Sequence, residues 1–224
     1  MARAGFAAVA SRLTEVGARF YTRGWALGTS GNFSAVLARQ PLRLAITASS
    51  AHKGQLRAAD ILECDEHGAV VGGGRLPARR ASLRQPSAET LLHVEIVRRR
   101  GAGAVLHTHS VWTTVLSDVH GAAGGFSIEG YEMLKGLAGV RSHEHHEWMP
   151  IVDNDQQMPR LAQRVGALLD ERRDIHAFLL RRHGLYTWGE TIAEAERHIE
   201  ILEFLFETIG RTGQFTIYNS QWTK

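Results

Sequence analysis

Two histidines stand one residue apart at the end of an apolar run, in the stretch VLHTHS (residues 105–110). In a β-strand the side chains at positions i and i+2 point to the same face, so this spacing predicts that His107 and His109 project side by side. Two neighbouring imidazoles can bind one metal ion. The chain contains twelve histidines, so the pair by itself also fits a structural role.

A third histidine stands in LLRRHGLYTWG, where His183 follows a second apolar run and precedes Gly184, which lets the chain turn close to a neighbour. Three imidazoles from two strand ends are a ligand set for catalytic zinc, which leaves one coordination position for water or substrate. A structural zinc site would recruit mainly cysteines, and the chain has only Cys64. The cluster HEHHE (residues 143–147) is a competing metal candidate, which we discount because no predicted element fixes its geometry.

Two turns rich in small and hydroxyl residues follow the first predicted helix and the second predicted strand. They are GTSGN (residues 28–32) and TASSAHKG (residues 47–54). Glycine permits close approach of backbone, the hydroxyl and amide groups supply donors, and Lys53 supplies a positive charge for phosphate. Each turn alone also fits an ordinary connection, but two of them beside one metal favour a phosphorylated substrate. The glycine spacings of nucleotide-binding loops are absent.

Two carboxylates are candidates for acid or base chemistry. Glu89 is predicted in the first turn of a helix that begins at Pro86, ahead of the histidine pair, where the helix dipole favours a negative charge. Glu132 lies in EGYEMLKG, three residues before Lys135. A helix-start charge and a surface ion pair are the alternative explanations.

Composition limits the class of protein. The 224 residues, 44% hydrophobic and 22% charged, predict one soluble globular domain over residues 1–224. The net charge is only +3, so we expect no nucleic-acid partner, although arginines occur in runs at residues 79–80, 98–100 and 172–173. The single Cys64 fits a reducing compartment, and the sequence shows no signal peptide or membrane span. We therefore expect a cytoplasmic protein without a membrane partner.

The periodicity of apolar residues predicts helices alternating with strands. Helices are predicted at residues 6–20, 86–101, 110–118, 129–139, 158–173 and 191–209, with a short helical turn in AADILECD (residues 58–65). Strands are predicted at residues 33–38, 42–47, 68–74, 104–109, 148–152 and 177–182. Helices before, between and after strands predict an α/β fold in which helices layer a sheet.

Taken together, GTSGN, ITASS followed by Lys53, PSAE, HTH and RRHG occur in the order and spacing of the class II aldolase and adducin family, which this chain resembles from about residue 10 to 210. The resemblance implies an α/β/α sandwich with a central, mostly antiparallel sheet. It also implies a homo-oligomer, usually a tetramer, with active sites near subunit contacts. Zinc, one ion per subunit, would be held by His107, His109 and His183. The phosphate of a ketose substrate would be held by Ser30, Gly31, Asn32, Ser49, Ser50 and Lys53.

The resemblance also suggests roles for the two carboxylates. In the aldolases of the family the acid of the PSAE-like stretch is a metal ligand and acid/base group, which corresponds to Glu89. The stretches EMLKG and LLRRHGLYTWGET are most similar to the dehydratases of methionine salvage, whose proposed acid/base corresponds to Glu132. A sugar-phosphate aldolase or 4-epimerase and a non-catalytic scaffold like the adducin head are the alternatives. Many relatives have Ser-Gly where this chain has Ser49-Ser50, which puts that phosphate contact in doubt.

Overall fold

A computed structural model describes the backbone of residues 5–73 and 85–221 and the side chains as far as residue 213. Within these residues, nine strands form one mixed sheet, flanked by five α-helices. The strands are β1 (Asn32–Arg39), β2 (Leu42–Thr47), β3 (Ile61–Asp65), β4 (Val70–Gly73), β5 (Ala104–Thr108), β6 (Gly125–Ile128), β7 (Glu147–Val152), β8 (Ala177–Leu180) and β9 (Gly184–Gly189). The helices are α1 (Phe6–Thr22), α2 (Thr90–Arg100), α3 (Val111–Val119), α4 (Met158–Glu171) and α5 (Ile192–Gln221).

The sheet is mostly antiparallel, as expected. Its strand order is β4-β3-β2-β1-β5-β9-β8-β7-β6. Neighbouring strands run antiparallel except β7 and β8, which are parallel. None of the described helices is long and apolar enough to cross a lipid bilayer.

Apolar side chains cover both faces of the sheet, which confirms the α/β/α layering. Leu106 of β5 belongs to the core that packs under α1 and α5, whereas its neighbour Val105 belongs to the core under α2 and α4. Phe178 and Leu179 of β8 divide in the same way. Successive residues of a strand point to opposite faces, so these central strands are apolar on both sides.

The strand register brings five connections to one edge of the sheet. Asn32, at the start of β1, pairs with His107 near the end of β5. The end of β5 pairs with the start of β9, and the ends of the parallel strands β7 and β8 lie side by side. The end of β2 lies beside the start of β1, since Ile46 pairs with Ser34. Five connections therefore lie at this edge, which we call the site edge. They are residues 28–32, 48–53, 109–110, 153–157 and 181–183.

Several predicted elements differ from the structure. In residues 58–65 only Ala58–Asp60 is helical, in a 3-10 turn, because β3 follows at once and pairs with both β2 and β4. The segment Glu132–Gly136 is likewise a 3-10 turn rather than an α-helix. Strands β6 and β9 were not predicted. Arg79, Arg80 and the last of the glycines at 72–74 lie outside the described residues.

Candidate metal centre

The three predicted histidines meet at the site edge. The Nε2 atoms of His107 and His109 lie 2.7 Å apart, and those of His107 and His183 lie 3.4 Å apart. One nitrogen from each of the three rings lies within 4.8 Å of those from the others. His107 and His109 reach this point from the end of β5, and His183 from the turn between β8 and β9. The i, i+2 spacing thus places the first two imidazoles on one face, as the sequence predicts.

A hydrogen bond fixes which nitrogen of His107 faces the other rings. Its Nδ1–H donates to the carbonyl oxygen of Leu185 over 2.9 Å, so its Nε2 carries a lone pair toward His109 and His183. Tyr186 stacks on the same ring with the centroids 3.9 Å apart. Burial lowers the pKa of His107 well below its usual value and lowers that of His109 to about 3. Both rings are therefore neutral ligands at physiological pH.

The three imidazoles fit a metal ion of the size and preference of zinc. Two nitrogens that each lie about 2.0–2.1 Å from a tetrahedral zinc ion are about 3.3 Å apart, close to the separation of His107 and His183. Three ring nitrogens whose lone pairs converge in this way form the ligand set of a cation site. Because imidazole suits several divalent ions, the geometry supports a metal site without identifying the metal.

Glu89 lies beside this point. Its carboxylate oxygens are 3.5 Å from Nε2 of His107 and 3.4 Å from Nε2 of His183. The helix α2 was predicted to begin at Pro86 but begins four residues later, at Thr90, so Glu89 precedes the helix instead of lying in its first turn. The backbone N–H of Thr90 donates to the carbonyl oxygen of Ser87, and that of Leu92 donates to the carbonyl oxygen of Glu89. The Glu89 side chain is therefore free of the helix and aimed at the histidines.

A chain of hydrogen bonds through Asn32 and His93 orients the carboxylate of Glu89. The Asn32 side-chain amide donates to Oε2 of Glu89 over 2.6 Å, and Oδ1 of Asn32 accepts from Nε2 of His93. The other nitrogen of His93 accepts from the hydroxyl of Ser34 over 2.7 Å. Burial lowers the pKa of His93 to about 3, so the ring stays neutral with one donor and one acceptor.

Sequence reasoning missed His93. It lies four residues after Glu89, which places the two on one side of a helix turn, and it stands in the otherwise apolar run LLHVEIV. A fully buried polar residue in such a run needs partners, which is the available sequence signal. The structure supplies these partners from β1, the strand next to the histidine pair.

A cleft of about 370 Å³ opens beside the histidines. All six predicted phosphate ligands line it together with Glu89, His109 and His183: Ser30, Gly31, Asn32, Ser49, Ser50 and Lys53. Asn154, Gln156 and Met158, which the sequence did not suggest, also line it. The two predicted turns, the histidines and the loop after β7 therefore share one cavity.

Lys53 connects the two anion-binding turns. Its ammonium group donates to the carbonyl oxygens of Thr29 and Ala51, over 3.0 and 2.8 Å. The residue is 1% exposed, and burial lowers its pKa to about 8. Lys53 thus holds one turn against the other while its charge lies at the wall of the cleft.

Backbone geometry explains two small residues at the site. Gly31 has a φ of +74°, and a Cβ there would lie 2.6 Å from the carbonyl oxygen of His107. A Cβ on Gly184 would lie 2.1 Å from the carbonyl oxygen of Thr108. Only glycine allows these segments to approach β5 so closely. Ser50, with a φ of +58°, holds the left-handed conformation that glycine favours.

Glu132 is not brought to this cleft within one chain. Its side chain is 72% exposed and pairs with Lys135 over 2.6 Å, with His143 at 3.9 Å. The i, i+3 surface pair considered from the sequence is thus present. An acid/base role for Glu132 stays a prediction.

The cluster HEHHE contributes to a second group of polar side chains. Glu147, fully buried at the start of β7, accepts from His145 over 2.8 Å and from the backbone and ring of His176 over 2.9 Å. The expectation that no element fixes this cluster was therefore wrong for Glu147, which begins β7. His146 remains exposed and pairs with Glu129.

The site and the sheet define the class of protein. The Class II Aldolase and Adducin N-terminal domain profile matches residues 11–209, and the chain belongs to this family. It is 44% identical to the methylthioribulose-1-phosphate dehydratase of Methylococcus capsulatus, over 88% of this chain and 91% of that protein. It is 43% identical to the same-named protein of Marinobacter nauticus, over 90% and 92%. The solved L-fuculose-1-phosphate aldolase of Thermus thermophilus has the same fold, with a TM-score of 0.68 and 23% identity over 97% and 98% of the chains.

Proposed function

We propose that this protein is a zinc-dependent hydro-lyase that removes water from 5-methylthioribulose 1-phosphate to give the 2,3-diketo-5-methylthiopentyl 1-phosphate of methionine salvage. The convergence of His107, His109 and His183 beside a cleft lined by two anion-binding turns is the observation that carries this proposal. The relatives that cover about nine-tenths of the chain bear the dehydratase name.

The roles of the protein groups follow from the chemistry of the substrate. A zinc ion bound by the three histidines would polarise the C2 ketone as a Lewis acid and so acidify the C3 proton. A carboxylate then removes this proton, and the C4 hydroxyl leaves as water after it accepts a proton. The resulting enol ketonises to the 2,3-diketone. Ser30, Gly31, Asn32, Ser49, Ser50 and Lys53 would hold the C1 phosphate.

Two carboxylates are candidates for these proton transfers. Glu89, 3.4 Å from Nε2 of His183, is placed to act on a substrate held at the metal or to bind the metal itself. Glu132 is the proposed acid/base group of the dehydratase branch, and in this chain it lies on the exposed surface. We propose that a second subunit of a homo-oligomer, which we expect to be a tetramer, brings Glu132 to the cleft.

A sugar-phosphate aldolase or 4-epimerase of the fuculose or ribulose phosphate type is the second candidate, because the same metal site can stabilise the charge that develops when the C3–C4 bond breaks. A scaffold without catalysis is a third candidate, but a scaffold has no need of three convergent imidazoles.

Purified, zinc-loaded protein incubated with 5-methylthioribulose 1-phosphate, L-fuculose 1-phosphate and L-ribulose 5-phosphate tests the proposal. We expect diketone absorbance with the first substrate and no release of aldehyde from the second. Aldehyde release or epimerisation without diketone would support the second candidate. Protein that contains no stoichiometric metal after purification and zinc addition would support the scaffold.

A further inference from the structure

The sheet order separates the two ends of the cleft. The anion-binding turns belong to β1 and β2, the histidines belong to β5 and the β8–β9 turn, and the loop of residues 153–157 follows β7. Along the site edge the histidines therefore lie between the anion-binding turns on one side and this loop on the other. A ketose held at the metal through C2 and C3, with its phosphate at the turns, must extend its C4–C5 end toward the loop after β7.

Alternate residues of this segment line the cleft. Asn154, Gln156 and Met158 contribute to its wall, whereas Asp155 and Gln157 do not. Asp155 instead binds the guanidinium groups of Arg160 and Arg164 on α4, the latter over 2.9 Å. The Arg160 hydrogen bond, the Gln157 backbone bond and the nearby arginine charges lower the pKa of Asp155 to about 2.

These contacts hold the loop in one conformation at the start of α4. Asp155 accepts from the backbone N–H of Gln157 over 2.9 Å, and its own N–H donates to Oδ1 of Asn154 over 2.9 Å. Three side chains on a loop fixed in this way present a defined surface to the cleft rather than a variable one.

Met158 gives this end its apolar character. It packs against the core beneath α2 and α4 while it lines the cleft, so its thioether is partly buried and partly available to a ligand. A flexible, polarisable side chain in that position suits a small apolar group of irregular shape. The amides of Asn154 and Gln156 beside it suit a hydroxyl group.

We propose that Asn154, Gln156 and Met158 form the subsite that determines specificity for the end of the substrate opposite the phosphate, with Met158 against the methylthio group and the amides at the C4 hydroxyl. This inference rests on the proposed function. It assigns the preference for a sulfur-bearing ketose phosphate over a fully hydroxylated one to the loop after β7.

Met158→Gln and Met158→Leu test the apolar contact. The measurements are KM for 5-methylthioribulose 1-phosphate and the competitive inhibition constant of ribulose 1-phosphate, which carries a hydroxyl in place of the methylthio group. We expect Met158→Gln to raise KM about 10-fold, because an apolar contact of this size is worth about that factor, while the inhibition constant changes less than about 2-fold. Met158→Leu, which keeps an apolar side chain, should raise KM less than Met158→Gln does.

Gln156→Ala and Gln157→Ala form a matched pair one residue apart. We expect the first to weaken binding of both ligands equally, because both carry the C4 hydroxyl, and the second to change neither. Zinc content and melting temperature of every variant exclude a general loss of fold. Equal effects of Met158→Gln on both ligands, or none, would overturn the subsite while leaving the dehydratase intact. Wild-type protein that forms no diketone would reject the proposed function itself.

Discussion

His93 donates its Nε2 hydrogen to Oδ1 of Asn32, and neither residue is one of the three histidines of the candidate metal site. Because Oδ1 of Asn32 is occupied by His93, its amide nitrogen must point to Glu89, to which it donates over 2.6 Å. The buried histidine therefore determines the orientation of a carboxylate that it does not touch. Such outer contacts typically change metal affinity or activity by about 10–100-fold when they are removed.

The first prediction concerns this contact. His93→Leu should lower kcat about 10–100-fold with little change in KM, because Glu89 loses its fixed orientation while the phosphate-binding turns stay in place. It should also destabilise the fold by about 1–3 kcal/mol, since Asn32 and Ser34 lose their buried partner. Steady-state kinetics and urea unfolding measure the two effects.

The control for His93→Leu is Thr187→Val, which removes a part-buried hydrogen bond, from the hydroxyl of Thr187 to the carbonyl oxygen of His176. It should destabilise the protein to a similar degree without a change in kcat. A His93→Leu enzyme with wild-type kcat would show that Asn32 orients Glu89 without help from His93.

The second prediction concerns the metal ligands. His183→Ala should bind zinc more weakly and lose part of the stabilisation that zinc provides, because one of the three converging imidazoles is removed. Atomic absorption of the dialysed protein and its melting temperature with and without zinc test this. His146→Ala, which changes an exposed histidine paired with Glu129, should bind one zinc ion like the wild type. Zinc affinity of His183→Ala equal to that of the wild type would contradict the three-histidine site.

The parts of the site that follow a simple period were predictable from sequence. His107 and His109 follow the two-residue period of a strand, and the glycines beside the histidines mark close backbone approach. Glu89 was placed in the right neighbourhood but inside a helix that in fact begins at Thr90. Pro86 forms a β-bridge with Ala48, and this long-range pairing is not visible in local sequence.

The missed features depend on strand order. Met158 and Asn154 reach the cleft only because β7 runs parallel to β8 and ends at the same edge as the histidines. Glu147 looked like part of a solvated histidine cluster, but it begins a buried strand and meets His176 from another segment. Contacts between residues far apart in sequence determine both, and periodicity carries no information on them.

The third prediction tests the role of Glu132 and the subunit arrangement together. Glu132→Gln should retain zinc and lose most turnover, and full activity would reject its acid/base role. If a neighbouring subunit supplies Glu132, mixed oligomers of Glu132→Gln and His183→Ala should regain activity, with about a quarter of the sites intact after random assembly in a cyclic oligomer. Each variant alone stays inactive, which is the control. Absence of recovery in demonstrably mixed oligomers would place Glu132 and the metal in the same subunit.

The final prediction concerns the buried pair Glu147 and His176. Both ring nitrogens of His176 face acceptors, Oε2 of Glu147 at 2.9 Å and the carbonyl oxygen of Ala138 at 2.8 Å, an arrangement that favours the protonated ring. Burial opposes this charge, but the hydrogen bond and charge of Glu147 outweigh it and raise the pKa of His176. Burial likewise opposes the carboxylate, and the contacts with His176 and His145 lower the pKa of Glu147.

These opposite shifts define a pH window for stability. A raised pKa of His176 gives stabilisation that is complete below its ordinary value of 6.5 and is lost as the pH rises through the raised value. A lowered pKa of Glu147 gives stabilisation that is complete above its ordinary value of 4.5 and is lost as the pH falls through the lowered value. The pair should therefore contribute most between pH 4.5 and 6.5.

Glu147→Gln should lower the free energy of unfolding by about 3 kcal/mol in that window, because it leaves a buried imidazolium without its counter-ion, and by less on either side. Urea unfolding of apo protein at a series of pH values measures the difference. Asp174→Asn provides the control, since it breaks the more exposed pair with Arg172 and should cost less than about 1 kcal/mol. His145 and His198 also face His176. A loss of stability that is the same at every pH would contradict the conclusion that Glu147 sets the protonation of His176.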